Sequence, residues 1–275
     1  FFFNAHNDFF EEICKYRAAR RLWARIMRER FGAENPLSWL LRYHVQTAGS
    51  SLTAQQPLNN IIRTTLQALA AVLGGAHSLH TNSMDEAYAL PSETAVRTAL
   101  RIQQVIAHES GVTNTVDPLG GSYFVEKLTD ELEEEAGEIL RTIDKKGGML
   151  EAILQGWVQR QLDDASYRYA REVQEGTRKV VGVNCYQVTE DEIPTQVLRV
   201  EQEQEEHQKR SLAEVRSARD QGKVVKALDG IKRAVASGEN VMPAYMEAAR
   251  AYATIAEMNA CCLEILEKKE KGSQG

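Results

Sequence analysis

Arg42, His44 and Gln46 stand at alternate positions, so an extended backbone puts all three on one face with Leu40, and Leu41, Tyr43, Val45 and Thr47 on the other. A strand covered on both sides ordinarily reads as a continuous Val/Ile/Leu run, and this stretch does not. One reading is a buried, fully hydrogen-bonded network. The other is a sheet whose polar face opens onto a polar ligand, because unpaired polar groups are too costly to bury. Taken singly, His44 and Gln46 read as satisfied core residues, and Glu86 as a carboxylate favoured by the dipole at a helix start. Cys14, Cys185, Cys261 and Cys262 have no C-x-x-C spacing and are expected to be reduced thiols. No nucleophile triad and no run of metal ligands stands out.

The elements that must position these residues follow from apolar periodicity, which changes near residue 110. Before it, one unit recurs. Strands are expected over 1–6, 39–46 and 76–81, each followed by a helix, over 8–31, 57–73 and 92–108. Gly74-Gly75 ends the second helix, Ser92 caps the third and Gly111 closes it. Strand, long helix, strand is the pattern of parallel β/α repeats, whether in an open sheet or in a barrel. After Asp117-Pro118-Leu119-Gly120-Gly121-Ser122, helices are expected over 123–145, 150–175, 202–221, 224–236 and 244–268, with a short strand at 180–184. The division is therefore 1–110, three β/α units, and 111–275, a helical segment.

Composition bounds the function classes. The 275 residues are 43% hydrophobic and 26% charged, with a net charge of −6. That balance gives no general attraction to nucleic acid. The arginine run Arg17, Arg20, Arg21, Arg25, Arg28 and Arg30 alternates with Leu22, Trp23, Ile26 and Met27, as a solvated helix face opposite a packed one would. No stretch approaches the roughly 18 apolar residues of a membrane span, and Phe1-Phe2-Phe3 is too short for a signal peptide. A cytoplasmic protein is expected. A start on Phe, inside a strand, is expected of part of a longer protein.

Three motifs carry a resemblance. Arg42-Tyr43-His44-Val45-Gln46-Thr47-Ala48-Gly49 continues through Ser50-Ser51-Leu52-Thr53-Ala54-Gln55-Gln56-Pro57. Ser78-Leu79-His80-Thr81-Asn82-Ser83-Met84-Asp85-Glu86 continues through Ala87-Tyr88-Ala89-Leu90-Pro91. Glu109-Ser110-Gly111 leads to the Asp117–Tyr123 crossing. Together they closely resemble the catalytic subunit of methylmalonyl-CoA mutase and its relatives acting on isobutyryl-CoA and 2-hydroxyisobutyryl-CoA. The resemblance implies the C-terminal portion, about strands six to eight, of a (β/α)8 TIM barrel followed by a mostly helical extension. It implies an adenosylcobalamin-dependent isomerase that rearranges the carbon skeleton of a short acyl-CoA by radical chemistry, within a heteromer.

By the same resemblance, Gly49 and Ala89 match small residues beneath the corrin ring. Glu86 matches the carboxylate that holds the adenosyl ribose, with Asn82 nearby. His44 and Gln46 match residues between substrate and corrin, Phe2 an aromatic on the sixth strand shielding the pocket, and Arg42, on the seventh strand with His44 and Gln46, is expected in the substrate pocket. His77 stands where the family usually has Gln, and is expected to bear on substrate choice. The implied partners are an acyl-CoA, a chain or segment supplying strands one to five, and a cobalamin-binding domain or subunit. The family's Asp-x-His-x-x-Gly motif for that last domain does not occur in these 275 residues. The competing reading is a non-catalytic scaffold or assembly fragment of such a mutase.

Overall fold

Asp8 starts the first long helix by accepting the Glu11 N–H on its carboxylate at 3.2 Å, and α1 runs over Phe9–Glu29 behind the first strand, β1 (Phe2–Ala5). The computed structural model describes residues 1–188 and 201–272. Two compact units form, Phe1–Leu198 and Arg199–Gly275. The sequence pattern changes near residue 110. The helix after it, α4 (Tyr123–Lys145), packs on α1 and belongs to the first unit.

The first unit is α/β, mostly helical around a small parallel sheet. Its strands β1, β2 (His44–Thr47) and β3 (Ser78–His80) lie side by side in chain order. Two helices connect or follow them, α2 (Asn59–Leu73) and α3 (Glu93–Glu109). Ser92 caps α3 by accepting the Ala95 N–H at 3.3 Å, as expected. β2 is shorter than the sequence suggests. Asn35 and Pro36 turn Pro36–Trp39 into a 3-10 turn, and β1 offers partners only from Phe2, opposite His44. The alternation holds even so. Leu41, Tyr43, Val45 and Thr47 are buried, whereas Leu40 and Arg42 are exposed and His44 and Gln46 are half-covered.

The buried face packs against Ala5, Tyr16 and Ala71, with Phe3 and Leu79 beside them. Each large apolar side chain taken fully out of water there contributes about 1.5–3 kcal/mol. Polar atoms in this layer are paired. Tyr16 donates its hydroxyl to Asn4 O at 2.8 Å, and Arg20 joins the Tyr43 hydroxyl at 2.9 Å and Gly74 O. Burial and then the Glu12 charge push the Tyr16 phenol up, so it stays protonated.

The arginine run is solvated at Arg21, Arg25, Arg28 and Arg30, as expected, and it also makes ion pairs that the sequence did not show. Arg17 pairs with Asp117 and, at 2.6 Å, with Glu126; Arg21 reaches Asp130 and Glu133; Arg25 reaches Glu133; Arg30 reaches Asp144. These pairs fasten α1 to the Asp117 crossing and α4. Glu133, 5% exposed, is the buried carboxylate on which Arg21 and Arg25 converge.

Further expectations are corrected beyond α4. The helix expected over 150–175 is two, α5 (Met149–Leu154) and α6 (Trp157–Gln174), broken at Gly156 with φ +66. The strand expected at 180–184 is a turn closed by Asn184, whose Oδ1 accepts the Val180 N–H at 2.7 Å and whose Nδ2 reaches Val173 O and Arg178 O.

The second unit holds α7 (Gln202–Ala218), α8 (Gln221–Ser237), α9 (Met242–Arg250) and α10 (Ile255–Gly272). The single helix expected over 244–268 is divided at Tyr252, with φ +61. Val224, Ile231, Ala248 and Met258 form its core. α10 begins on a capping box. Thr254 Oγ1 accepts the Glu257 N–H at 3.3 Å, and the Glu257 carboxylate accepts the Thr254 N–H at 2.8 Å. Arg219 grips the same carboxylate with two nitrogens, at 2.8 and 2.6 Å. No described helix is long and apolar enough to cross a membrane.

That pair makes the second unit acid-sensitive. Arg219, then the Thr254 N–H, hold the Glu257 carboxyl down at about 2, against an ordinary 4.5. A depressed carboxyl contributes stability above its unfolded pKa and loses it as pH falls through the folded one. Glu257→Gln is therefore expected to cost about 1–2 kcal/mol at pH 7, allowing for solvent screening, and much less near pH 2. Urea unfolding of the full chain followed at both pH values checks it. An equal cost at both would remove the carboxylate from the account.

Candidate active site

The three strands present two rows of side chains, polar apart from Phe2, on the face away from the helices. Phe2, His44 and Ser78 are in register, and one residue pair further on come Asn4, Gln46 and His80. In the first row the Phe2 and His44 rings lie 5.0 Å apart, and His44 Nδ1 is 2.7 Å from Ser78 Oγ. Side chains with this parity are open or half-covered.

Beyond the second row, the loops leaving the carboxyl ends of β2 and β3 converge. Asn82 is 1% exposed. Its Oδ1 accepts from Thr47 Oγ1 at 3.1 Å and Gln46 Nε2 at 3.3 Å, while its backbone N–H donates to Thr47 Oγ1 at 2.9 Å. Its Nδ2 is buried with no acceptor among the described residues. A methyl group added at Gly49 would stand 3.0 Å from that nitrogen and 2.7 Å from Glu86 Oε1. Gly49, Asn82 and Glu86 therefore surround one point, with a donor, a carboxylate and a bare stretch of backbone. Although exposed, Glu86 has its carboxyl pushed above the ordinary range by lost solvation, opposed by His80 and reinforced by the Asp85 charge.

The structure thus brings together Gln46, Gly49, Asn82 and Glu86, with Phe2 and His44 on the same face of the sheet. Ala89 lies half-buried on the Glu86 loop, in a turn where Tyr88 and Ala89 N–H groups close on Asp85 O. Arg42 is exposed before β2, at the opposite, amino end.

His77, expected to bear on substrate choice, is exposed immediately before β3. Its N–H donates to Tyr43 O at 3.2 Å, and its ring meets the Tyr43 ring edge-on at 5.3 Å. It shares the helix-facing parity of Leu79, on the other side of the sheet from His44. His77→Gln is expected to leave the ratio of activities on different acyl-CoA substrates unchanged. It should shift stability by under about 1 kcal/mol, since an edge-on ring contact is small. Competition assays in the assembled protein, with a thermal melt, decide it; a changed ratio would return His77 to the pocket.

Thr47 and Gln67 were not singled out by sequence. Gln67 accepts the Ala48 N–H at 3.1 Å and donates to Asn7 Oδ1 at 2.6 Å and Ser51 Oγ at 2.7 Å, so it ties the loop after β1 to the loop after β2. The available signal was a polar stripe, Asn60, Thr64 and Gln67, at helical spacing.

A carboxyl-end site on a parallel sheet is the usual place for chemistry in α/β proteins. The family model described as methylmalonyl-CoA mutase matches residues 1–268, and the chain belongs to that family. It is 48% identical over 94% of its length to a 2-hydroxyisobutanoyl-CoA mutase large subunit of Aquincola tertiaricarbonis, covering 46% of that protein. Over the same share it is 43% identical to a methylmalonyl-CoA mutase of Escherichia coli and 42% to a probable mitochondrial one of Caenorhabditis elegans, covering 36% and 35% of them. The chain thus spans less than half the length of these curated relatives.

Proposed function

We propose that this chain is part of an adenosylcobalamin-dependent acyl-CoA mutase, to which it supplies the last three β/α units of a (β/α)8 barrel and the helices that follow. The observation that carries the reading is the meeting of bare Gly49, the unpartnered Asn82 Nδ2 and Glu86 at the carboxyl ends of β2 and β3. An orphaned buried donor costs about 1–3 kcal/mol and so calls for an acceptor supplied by a ligand. A ribose offers both an acceptor for Asn82 and donors for Glu86. The bare backbone at Gly49 suits the close approach of a large flat ring.

When bound, the cofactor would supply homolytic hydrogen abstraction and return, the step that permits a thioester skeleton to rearrange. This chain's residues bind and orient. Glu86 and Asn82 hold the sugar, and Gln46 and His44 present polar groups toward the acyl side. Phe2 covers the row beside His44 and excludes water, which radical chemistry requires. Ala89 gives a second small surface to the ring. The acyl group is short, of methylmalonyl, isobutyryl or 2-hydroxyisobutyryl type. The first five strands and a cobalamin-binding domain come from another segment or subunit.

Gly49→Ala tests the site directly. The exposed Glu86 side chain can swing aside, and the buried Asn82 amide, 3.0 Å away, must give by only a few tenths of an ångström, so the fold should lose about 1 kcal/mol. Adenosylcobalamin affinity of the assembled protein should fall at least tenfold, the equivalent of about 1.4 kcal/mol. Unaltered affinity with an unaltered melting temperature would contradict the reading.

A further inference from the structure

The inward face of α2 is polar where a helix packed on a sheet is ordinarily apolar. Asn60, Thr64 and Gln67, spaced by four and three residues, are all 0–1% exposed. We propose that Asn60 is a positioning residue, whose amide clamps the loop that begins at Gly49 to the loop that carries Glu86. The proposal concerns the site read above as a ribose site, and one arm of its test rests on that reading.

The amide is used to capacity. Its Oδ1 accepts the Thr53 N–H at 3.1 Å and Arg63 Nη1 at 2.7 Å; its Nδ2 donates to Thr53 O and to Met84 O, both at 2.9 Å. Thr53 belongs to the Gly49 loop and Met84 to the Glu86 loop. One rigid, buried group on a helix therefore fixes the spacing of two loops whose ends must meet a ligand together. Arg63 extends the clamp. It also donates to Thr53 Oγ1 at 2.9 Å and, through Nη2, to Val181 O at 2.7 Å, so the turn closed by Asn184 is held by the same anchor. Packing alone would be served as well by an apolar side chain of like volume, without the cost of desolvating an amide. Placement of two loops from one point would not.

Two variants separate placement from general stability. Asn60→Leu removes all four bonds; Asn60→Asp keeps the acceptor to Thr53 N–H and Arg63 but loses both donors. In the full chain, hydrogen–deuterium exchange should rise over residues 49–56 and 83–89 in Asn60→Leu, and mainly over 83–89 in Asn60→Asp. Protection within α2 should persist in both. A rise spread evenly over α1 and α2, or no rise in either loop, would overturn the proposal. If Asn60→Leu does not fold, Asn60→Asp decides by the same measure. In the assembled protein, the affinity ratio of adenosylcobalamin to hydroxocobalamin should fall about tenfold in Asn60→Leu, comparable to losing one hydrogen bond to a charged group. Glu86→Ala is the control. If it lowers the ratio and Asn60→Leu does not, Asn60 is not a positioning residue. If Glu86→Ala leaves the ratio unchanged, the ribose reading fails and the exchange pattern alone judges Asn60.

Discussion

Glu86→Ala, in the assembled protein, is expected to weaken adenosylcobalamin by about 1.5–3 kcal/mol relative to hydroxocobalamin, roughly 10- to 150-fold. The comparison isolates the ribose, which hydroxocobalamin lacks. The effect should be large because the carboxylate already bears a solvation cost, visible in its raised pKa, which a pair of ribose hydroxyls would offset. The same shift gives the preference a pH dependence. It should fade as pH drops through the raised Glu86 pKa, and so begin to fade at a higher pH than for an ordinary glutamate. Parallel titrations with the two cobalamins measure both effects. Equal losses for both would make Glu86 a structural carboxylate.

Adding the segment that supplies the remaining barrel strands is expected to raise the melting temperature of this chain by about 6–16 °C. A partner present at 100 to 1,000 times its dissociation constant contributes about 3–4 kcal/mol by mass action, and each kcal/mol moves a chain of this size by about 2–4 °C. The surface that such a segment would cover is already formed. β1 and β3 are the edges of the three-stranded sheet, and Phe1 and Phe2 are 65% and 62% exposed beside them. Next to β1 an apolar cavity of about 650 Å³ runs between α1 and α4, lined by Phe1, Leu22, Trp23, Ile139 and Met149. Open edges and apolar grooves of this kind associate with further strands and helices. Co-expression followed by a thermal melt checks it. An unchanged, cooperative melt would place the barrel's completion in doubt.

What the sequence made legible was local. Alternation over 40–47 told which side of β2 is buried, because a half-covered strand must alternate. Ser92 and the Gly74-Gly75 pair marked helix ends through capping chemistry that acts within a few residues. The breaks at Gly156 and Tyr252 escaped notice because apolar periodicity carries on through a one-residue departure to positive φ. Val180 to Asn184 read as a strand on β-propensity alone, and a single asparagine side chain made it a turn. The charge ladder between α1 and α4 joins residues about a hundred positions apart, which no local pattern reports. His77 shows the same limit within the site. Strand parity groups it with Leu79, but only the packed sheet tells which group faces the helices. The Gly49, Asn82 and Glu86 positions were legible through motifs, whereas Asn60 and Gln67, set among apolar helix residues, were not.

The central claim is the chemistry, and turnover tests it most directly. With the barrel-completing segment and cobalamin-binding partner present, methylmalonyl-, isobutyryl- and 2-hydroxyisobutyryl-CoA should each be offered with adenosylcobalamin or hydroxocobalamin, and the isomeric acyl-CoA quantified. The account predicts isomerisation of at least one of them with adenosylcobalamin only. Isomerisation that proceeds equally with hydroxocobalamin, or none of any acyl-CoA by an assembly that binds adenosylcobalamin, would contradict it.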